Sequence, residues 1–391
     1  MSSPTPLVFN PRAGALPAAL RGTAGHRPAI ELHRRLPGYQ PTALVDLPSA
    51  ATRLGVGRIL IKHEADRFGL PAFKVLGASW ATWRIVCQRL GRSDDPSDVT
   101  SLDDLRRIAE PLRPMGLVTA TDGNHGRGVA RAAAWFGFDA HILMPAGTVA
   151  ARIDAIRAEG AEVTVIDGDY DECVRRAASM ADERHLVVSD TSWPGYHDIP
   201  TDIADGYATM FTELDQQLPA AGVDHLDGLV IPMGVGSLAL SAVRHFPEGD
   251  TLRITAEPIN ADCLAVSVTA GEPTITPGPH HSMMVGMNCG TISELAWPVL
   301  DAGVDVCVTV PDEAAGEAMR WLAEAGVVAG ETGAGTLGAL IVAAAEPGGL
   351  AALGLDVDST VVCLCTEGAT DPVNYELVVG TAPGSVATRA W

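Results

Sequence analysis

The segment GLVTATDGNHGRG, residues 116–128, joins a short apolar run to a glycine-rich turn that leads into a helix. Residues 116–120 predict a buried strand, and the apolar spacing over residues 125–136 predicts a helix directly after the turn. Glycine in such a turn lets the backbone approach a ligand closely. The order strand, turn, helix is typical of a βαβ unit with a parallel sheet.

The same alternation continues along the chain. Further strands are predicted at residues 58–62, 140–144, 162–166, 185–189, 228–232, 252–257, 304–310 and 360–365. Further helices are predicted at about 72–90, 149–159 and 170–183. This pattern indicates an α/β protein, and a length of 391 residues indicates two domains or one large α/β unit.

Charge and cysteine content narrow the class of function. The net charge is −21, so we expect no nucleic-acid and no anionic-membrane partner, and some attraction for cationic substrates. Seven cysteines without a CxxC spacing predict reduced thiols and no metal site, although a Cys263–Cys289 pair stays possible. No signal peptide or membrane span is recognised, which predicts a cytoplasmic protein.

A lysine follows an apolar loop in the segment RFGLPAFKVLGAS, residues 67–79. Lys74 stands between Phe73 and Val75 where the predicted helix begins. Partial burial lowers the pKa of a lysine and frees its amine to attack a carbonyl carbon. Taken alone, the segment favours a lysine that reaches into solvent from a helix end, and only the other motifs argue against that interpretation.

Polar groups also follow three predicted strands. Asp122, in the turn after residue 120, can exchange protons with a substrate or pair with its ammonium group, while Asn124 offers an amide donor. The alternative is a turn that caps the helix near His125. Thr366 follows the last predicted strand, and its hydroxyl is a neutral partner for a ring nitrogen or part of an ordinary capping turn.

The segment MGVGSLA, residues 233–239, predicts a phosphate site where a strand leads into a helix. Its successive backbone N–H groups and the Ser237 hydroxyl can surround an anion at the helix N-terminus. No Gly-Lys-Ser/Thr follows and the third glycine of a dinucleotide fingerprint is absent. An ordinary turn is the alternative.

The order of these motifs resembles the fold-type II pyridoxal-phosphate (PLP) enzymes, the group of tryptophan synthase β and threonine dehydratase. Within that group the chain most resembles the diaminopropionate ammonia-lyase family from about residue 41 to 375. The resemblance is carried by residues 67–74, 121–126, 190–196, 288–290 and 366–371.

This resemblance implies an architecture. Two domains are expected, each with a mainly parallel twisted sheet flanked by helices, and the cofactor between them. Residues 1–79 and 196–391 would form the large domain and residues 80–195 the small one. Relatives of this kind imply a homodimer.

The resemblance also implies an activity and a site. The expected reaction is PLP-dependent α,β-elimination of D- and L-2,3-diaminopropionate to pyruvate and ammonia, with Lys74 and Asp122 catalytic. The small amino-acid substrate would meet Asp122, Asp190, Thr121 and His125. The residues expected to contact PLP are Phe73, Lys74, Asn124, Gly234, Val235, Gly236, Ser237, Leu238 and Thr366.

Three alternatives remain open: a PLP-dependent β-replacement synthase, a serine or threonine dehydratase, and a PLP-binding regulatory module without turnover. Dehydratases of the group usually carry a small hydroxyl residue at the position of Asp122, which favours the ammonia-lyase. Two positions depart from the family pattern. His63 replaces an aspartate and Ala329 replaces a serine, and both bear on substrate scope more than on reaction type.

Overall fold

The structure is a computed structural model that describes residues 5–22, 29–121, 123–168 and 170–387. Its strands are β1 (Leu7–Phe9), β2 (Ala43–Asp46), β3 (Arg58–His63), β4 (Gly116–Ala120), β5 (Asp139–Pro145), β6 (Glu162–Ile166), β7 (His185–Val187), β8 (Gly228–Pro232), β9 (Leu252–Pro258), β10 (Val306–Val310) and β11 (Thr360–Cys365).

The α-helices alternate with these strands over much of the chain. They are α1 (Ile30–His33), α2 (Pro48–Leu54), α3 (Val75–Leu90), α4 (Leu102–Ala109), α5 (Asn124–Phe136), α6 (Ala150–Arg157), α7 (Tyr170–Ser179), α8 (Asp198–Ala220), α9 (Ser237–His245), α10 (Cys263–Ala270), α11 (Trp297–Gly303), α12 (Asp312–Glu324), α13 (Glu331–Ala345), α14 (Gly349–Ala352) and α15 (Pro372–Val379). Of the helices in the described residues, none is both long enough and apolar enough to cross a membrane.

Two compact units divide the chain. Unit 1 contains residues 1–23, 42–66 and 211–391, and unit 2 contains residues 24–41 and 67–210. Their limits at 66/67 and 210/211 differ from the domain limits expected at 79/80 and 195/196. Those expected limits stay a prediction about the domains of the enzyme.

Unit 1 is built on a seven-stranded sheet in the order β1-β10-β9-β8-β11-β3-β2. The inner strands are parallel, and β8 and β10 are buried at every residue, as strands covered by helices on both faces require. The two antiparallel edge strands, β1 and β2, were not predicted. They have only three and four residues, too few to give a clear alternation.

Unit 2 is built on a four-stranded parallel sheet in the order β6-β5-β4-β7. The central strand β4 is fully buried, and the predicted limits of β4 and β6 agree with the structure. The strand predicted to end at residue 189 ends at Val187, because the chain turns there into the loop that carries Asp190. The predicted α/β class with mainly parallel sheets is confirmed.

Candidate active site

Lys74 lies immediately before the first residue of α3 in unit 2. A tight two-residue turn precedes it, in which Arg67 and Leu70 exchange backbone hydrogen bonds of 2.9 and 3.0 Å. Phe68 occupies the left-handed region of this turn at φ 57°, and its ring packs edge-on against Trp135 at 5.1 Å between centroids. Such a conformation persists where the surroundings over-determine it. The turn therefore sets the direction in which the chain enters α3.

Helix α5 supports the backbone of Lys74. A Cβ atom on Gly128 of α5 would lie 2.9 Å from the carbonyl carbon of Lys74 and 2.9 Å from the amide nitrogen of Val75. Any side chain at residue 128 would therefore push the two helices apart. Gly128 therefore allows α5 to pack closely against the backbone of Lys74.

Lys74 forms an ion pair with Asp190. Its Nζ lies 2.6 Å from Oδ2 of Asp190, with 22% of the lysine and 9% of the aspartate side chain exposed. Burial alone would raise the pKa of Asp190, but the Lys74 ammonium, through its charge and its hydrogen bond, lowers it below its usual value. Asp190 is therefore an ionised carboxylate held against the amine.

The position of Asp190 beside the turn that leads into α5 follows from sheet topology. The turn that precedes α5 follows β4, and Asp190 follows β7, and these two strands are neighbours in the sheet of unit 2. The carboxyl ends of adjacent parallel strands meet at one edge of a sheet, where ligands bind in open α/β folds.

His125 lies buried behind Asp190. Its Nε2 is 2.8 Å from the carbonyl oxygen of Val188, which can only accept, so this nitrogen carries the proton. Nδ1 faces Oδ2 of Asp190 at 3.7 Å and has no hydrogen-bond partner among the described residues. Burial lowers the pKa of His125, although Asp190 opposes this effect. A neutral imidazole, with its Nδ1 lone pair toward the carboxylate, results.

Some polar groups of the turn after β4 form hydrogen bonds with the backbone of the turn itself. Oγ1 of Thr121 accepts the N–H groups of Gly123 and Gly126 at 3.0 and 3.1 Å, so only its O–H remains for a ligand. Asn124 is half-buried and begins α5. Asp122 lies outside the described residues. Its catalytic role stays a prediction.

Tyr207 is a neighbour of Lys74 that the sequence did not indicate. The Lys74 Nζ lies 5.7 Å from the centroid of the fully buried Tyr207 ring and 5.3 Å from that of Phe73. Both distances lie within the range of a cation–π contact. Burial raises the pKa of Tyr207, so its phenol stays neutral.

Two glycines bring Tyr207 to this position. A Cβ atom on Gly206 of α8 would lie 2.6 Å from the carbonyl oxygen of Leu76, and one on Gly77 of α3 would lie 2.6 Å from Tyr207 Cε1. The two helices can therefore cross this closely only because both positions are glycine. Lone glycines in predicted helices were the available signal, and they carry no information about the partner helix.

The predicted phosphate segment lies in unit 1, between β8 and α9. Gly236 has φ 105°, and a Cβ atom there would lie 2.9 Å from Leu300 Cδ1, while one on Gly234 would lie 3.2 Å from the carbonyl oxygen of Gly286. Ser237 and Leu238 are the first residues of α9, so their N–H groups belong to a helix N-terminus. The bare, close-packed turn and the positive end of α9 fit a phosphate group.

Thr366 belongs to the same edge of the unit 1 sheet. It follows β11, which pairs in parallel with β8 from Val361 to Cys363, and it is 3% exposed. The predicted phosphate segment and the predicted ring-nitrogen partner thus follow neighbouring strands. Both segments therefore lie at the carboxyl ends of parallel strands, where ligands bind in open α/β sheets.

Cys263, Cys289 and the two positions that depart from the family pattern, His63 and Ala329, all lie in unit 1. Cys263 donates to the Gly234 carbonyl oxygen at 3.6 Å, and a Cβ atom on Gly234 would lie 3.4 Å from Cys289 Sγ. Both thiols are free, so the structure contains no Cys263–Cys289 disulfide. His63 contacts the carbonyl oxygen of Val328, the neighbour of Ala329, at 3.0 Å.

Comparison with known proteins identifies the family of the chain. The pyridoxal-phosphate dependent enzyme family model matches residues 35–367. The diaminopropionate ammonia-lyase of Salmonella typhimurium is 36% identical over 94% of each chain, and that of Escherichia coli K12 is 35% identical over 92% of each.

A solved structure gives the same result. The Escherichia coli diaminopropionate ammonia-lyase in complex with D-serine superposes with a TM-score of 0.86 at 32% identity, covering 95% of this chain and 96% of that one. The same enzyme has also been solved with an aminoacrylate-PLP azomethine reaction intermediate, at a TM-score of 0.85 and 33% identity. The resemblance drawn from the sequence motifs is confirmed. The chain is a PLP-dependent lyase and belongs to the diaminopropionate ammonia-lyase family.

Proposed function

We propose that this enzyme eliminates the β-amino group of 2,3-diaminopropionate, in both its D and L forms, and releases pyruvate and two molecules of ammonia. The observation that carries the proposal is the 2.6 Å contact between Lys74 Nζ and Asp190 Oδ2. In this contact, an amine that can bind the aldehyde of the cofactor lies beside a carboxylate that can stabilise a cationic leaving group.

PLP, when bound, withdraws electrons from the substrate α-carbon and so acidifies its proton. Lys74 would hold the cofactor through Nζ and, when free of it, would take the α-proton of the substrate on one face at Nζ. Asp122 takes it on the other face, which accounts for turnover of both enantiomers. The roles of Lys74 and Asp122 rest on the family resemblance and on the setting of the lysine.

Asp190 has two roles in this proposal. Its carboxylate holds the Lys74 ammonium after proton transfer, and it stabilises the protonated β-amino group of the substrate before that group leaves as ammonia. The lowered pKa of Asp190 supports both roles, since a neutral carboxyl group would serve neither. His125 Nδ1 and the Thr121 hydroxyl complete the proposed substrate contacts. The released aminoacrylate then hydrolyses to pyruvate and the second ammonia.

The proposed cofactor contacts follow the same logic. Gly234, Val235, Gly236, Ser237 and Leu238 bind the phosphate, and Thr366 faces the ring nitrogen as a neutral hydroxyl. Asn124 donates to the phenolic oxygen, and the Phe73 ring packs beside Lys74. The helix N-terminus of α9 supports the phosphate assignment, and the burial of Thr366 supports the ring assignment.

The decisive experiment measures products from the purified PLP-loaded enzyme with D- and L-diaminopropionate, serine and threonine. We expect two ammonia per pyruvate from diaminopropionate. One ammonia per pyruvate from serine, with no turnover of diaminopropionate, would contradict the proposal and indicate a dehydratase. Diversion of the product to added thiols or amines would indicate a β-replacement synthase.

Two variants sharpen this experiment. Lys74→Ala should lose the visible absorption of the covalently bound cofactor, and Asp190→Asn should keep it while turnover falls by about 100-fold or more. Asp103→Asn is the matched control, because its side chain is 95% exposed on α4. A cofactor band that forms but never responds to an amino acid would favour a regulatory module.

We also propose that the enzyme works as a cytoplasmic homodimer. The seven free cysteines support a reducing compartment, since thiols persist there. Light scattering on the purified protein tests the assembly, with a mass of one chain, 40.7 kDa, as the contradicting result.

A further inference from the structure

The end of β3 is joined to a segment distant in sequence by one half-buried side chain. His63 is the last residue of β3, and its Nε2 lies 3.0 Å from the carbonyl oxygen of Val328. A carbonyl oxygen only accepts, so Nε2 carries the proton and donates it. Burial lowers the pKa of His63, which keeps the imidazole neutral and leaves this donor in place.

The segment that receives this hydrogen bond holds the loop after β11. The Gly330 N–H donates to the Glu367 carbonyl oxygen at 3.0 Å, and the Thr332 N–H donates to Glu367 Oε1 at 3.2 Å. A Cβ atom on Gly330 would lie 2.3 Å from the carbonyl oxygen of Gly368, so backbone packs directly on backbone.

The same loop meets β3 on its other side. Cys365, the last residue of β11, pairs with His63, and the Glu64 N–H donates to the Cys365 carbonyl oxygen at 2.8 Å. A Cβ atom on Gly368 would lie 3.0 Å from Cβ of Ala65. Thr366 thus sits in a loop held between the end of β3 and the start of α13, and the His63 hydrogen bond joins those two supports.

We propose that His63 is a positioning residue for Thr366, and through it for the pyridine ring of the cofactor. The inference rests on the proposed role of Thr366. The His63 hydrogen bond keeps the Val328–Gly330 segment against the loop, and the loop fixes the Thr366 hydroxyl. Without the donor, the partly buried Val328 carbonyl oxygen loses this hydrogen bond, and the segment relaxes away from the loop.

The test compares His63→Gln with His63→Leu. Glutamine retains an N–H donor at similar reach, whereas leucine fills a similar volume without one. The dissociation constant of PLP is measured by titrating apoenzyme, and Tm is measured with and without PLP. We expect His63→Leu to bind PLP about 5-fold more weakly or worse, and to show a smaller PLP-induced rise in Tm, with His63→Gln close to wild type.

Three results would overturn the inference. In the first, His63→Leu lowers the Tm of apoenzyme and PLP-bound enzyme equally and leaves PLP affinity unchanged, which marks His63 as a general stabiliser. In the second, both variants weaken PLP binding equally, so the donor is not the cause. If His63→Leu fails to fold, His63→Asn, whose shorter amide cannot reach Val328, is held to the same criteria. In the third, wild-type enzyme binds no PLP, which removes the proposed function itself and is distinguishable from the other two.

Discussion

At the scale of single residues, the site is a set of charges with fixed partners. Asp190 is ionised and held by Lys74, while His125 behind it is neutral because burial lowers its pKa. Because the carboxylate is ionised and the imidazole is neutral, each proton of these groups is held at a defined atom. Proton transfer at an α-carbon requires this definition.

The predicted two-face mechanism depends on Asp122. Asp122→Asn removes the base on one face of the substrate and leaves Lys74 on the other. We therefore expect turnover of D-diaminopropionate to be abolished while some turnover of the L form persists. Steady-state pyruvate assays with the separate enantiomers measure this, and an equal loss on both would reject a face-specific role.

A pH dependence follows from His125. In the unfolded chain this histidine takes up a proton near its ordinary pKa of about 6.5, whereas in the folded protein burial lowers its pKa. The stability contribution is complete above that pH. It is lost as the pH falls from about 6.5 toward the lowered pKa, by at most about 1.4 kcal/mol per pH unit.

The measurement is the change in Tm between pH 7.5 and pH 5.5. His125→Asn, which does not titrate there, should lose less Tm than wild type over this interval. His225→Asn is the control, because its side chain is 57% exposed, and it should follow wild type. Identical losses in wild type and His125→Asn would show that the imidazole is already charged in the folded protein.

At the scale of elements, the crossing of two helices brings together side chains that no local sequence pattern relates to each other. Lys74 begins α3 and Tyr207 lies in α8, and the two meet because Gly206 contacts the backbone of Leu76 and Gly77. The sequence indicates each helix but not this crossing, since a glycine inside a helix has several explanations.

The crossing gives a prediction about packing. Gly206→Ala introduces a Cβ atom 2.6 Å from the Leu76 carbonyl oxygen and 2.7 Å from Gly77 Cα, so α3 and α8 must separate. We expect a loss of about 1–3 kcal/mol in unfolding free energy, or a fall in Tm of about 2–4 °C per kcal/mol. Turnover should also fall, since Tyr207 moves away from Lys74.

Thermal unfolding and turnover are measured beside Gly14→Ala. A Cβ atom on Gly14 would meet nothing within 4 Å, so this control should keep both the wild-type Tm and the wild-type activity. Equal behaviour of the two variants would show that the crossing tolerates a methyl group and that its closeness does not position Tyr207.

At the scale of the whole molecule, the charge of −21 acts on substrate capture. An acidic surface raises the local concentration of a substrate that carries an additional ammonium group, and salt screens this field beyond about 10 Å at 0.1 M. We expect kcat/KM for diaminopropionate to fall as ionic strength rises from about 0.01 M to 0.3 M. The affinity for serine, which has no net charge, should change much less, and a parallel decline of both would reject electrostatic capture.

Local pattern sufficed for much of what the chain does. Strand and helix limits such as β4, β6, β8 and β11 were predictable because buried parallel strands are continuous apolar runs that end at turns. Lys74, Asp190 and the phosphate segment became candidates through the order of the motifs and the family resemblance, since each motif alone has an ordinary structural explanation. The short edge strands β1 and β2 were not, because three or four residues carry too little periodicity.

Folding in three dimensions decided the rest. Lys74 and Asp190 are 116 residues apart, and two tertiary features bring them together. The start of α3 packs on Gly128 of α5, and α5 follows β4, which is the sheet neighbour of the strand before Asp190. Tyr207 reaches Lys74 through a helix crossing at two glycines, and the His63–Val328 hydrogen bond joins the end of β3 to the segment before α13. A linear sequence indicates which groups can react, but distances between remote segments depend on strand order and helix packing, and those are properties of the assembled chain.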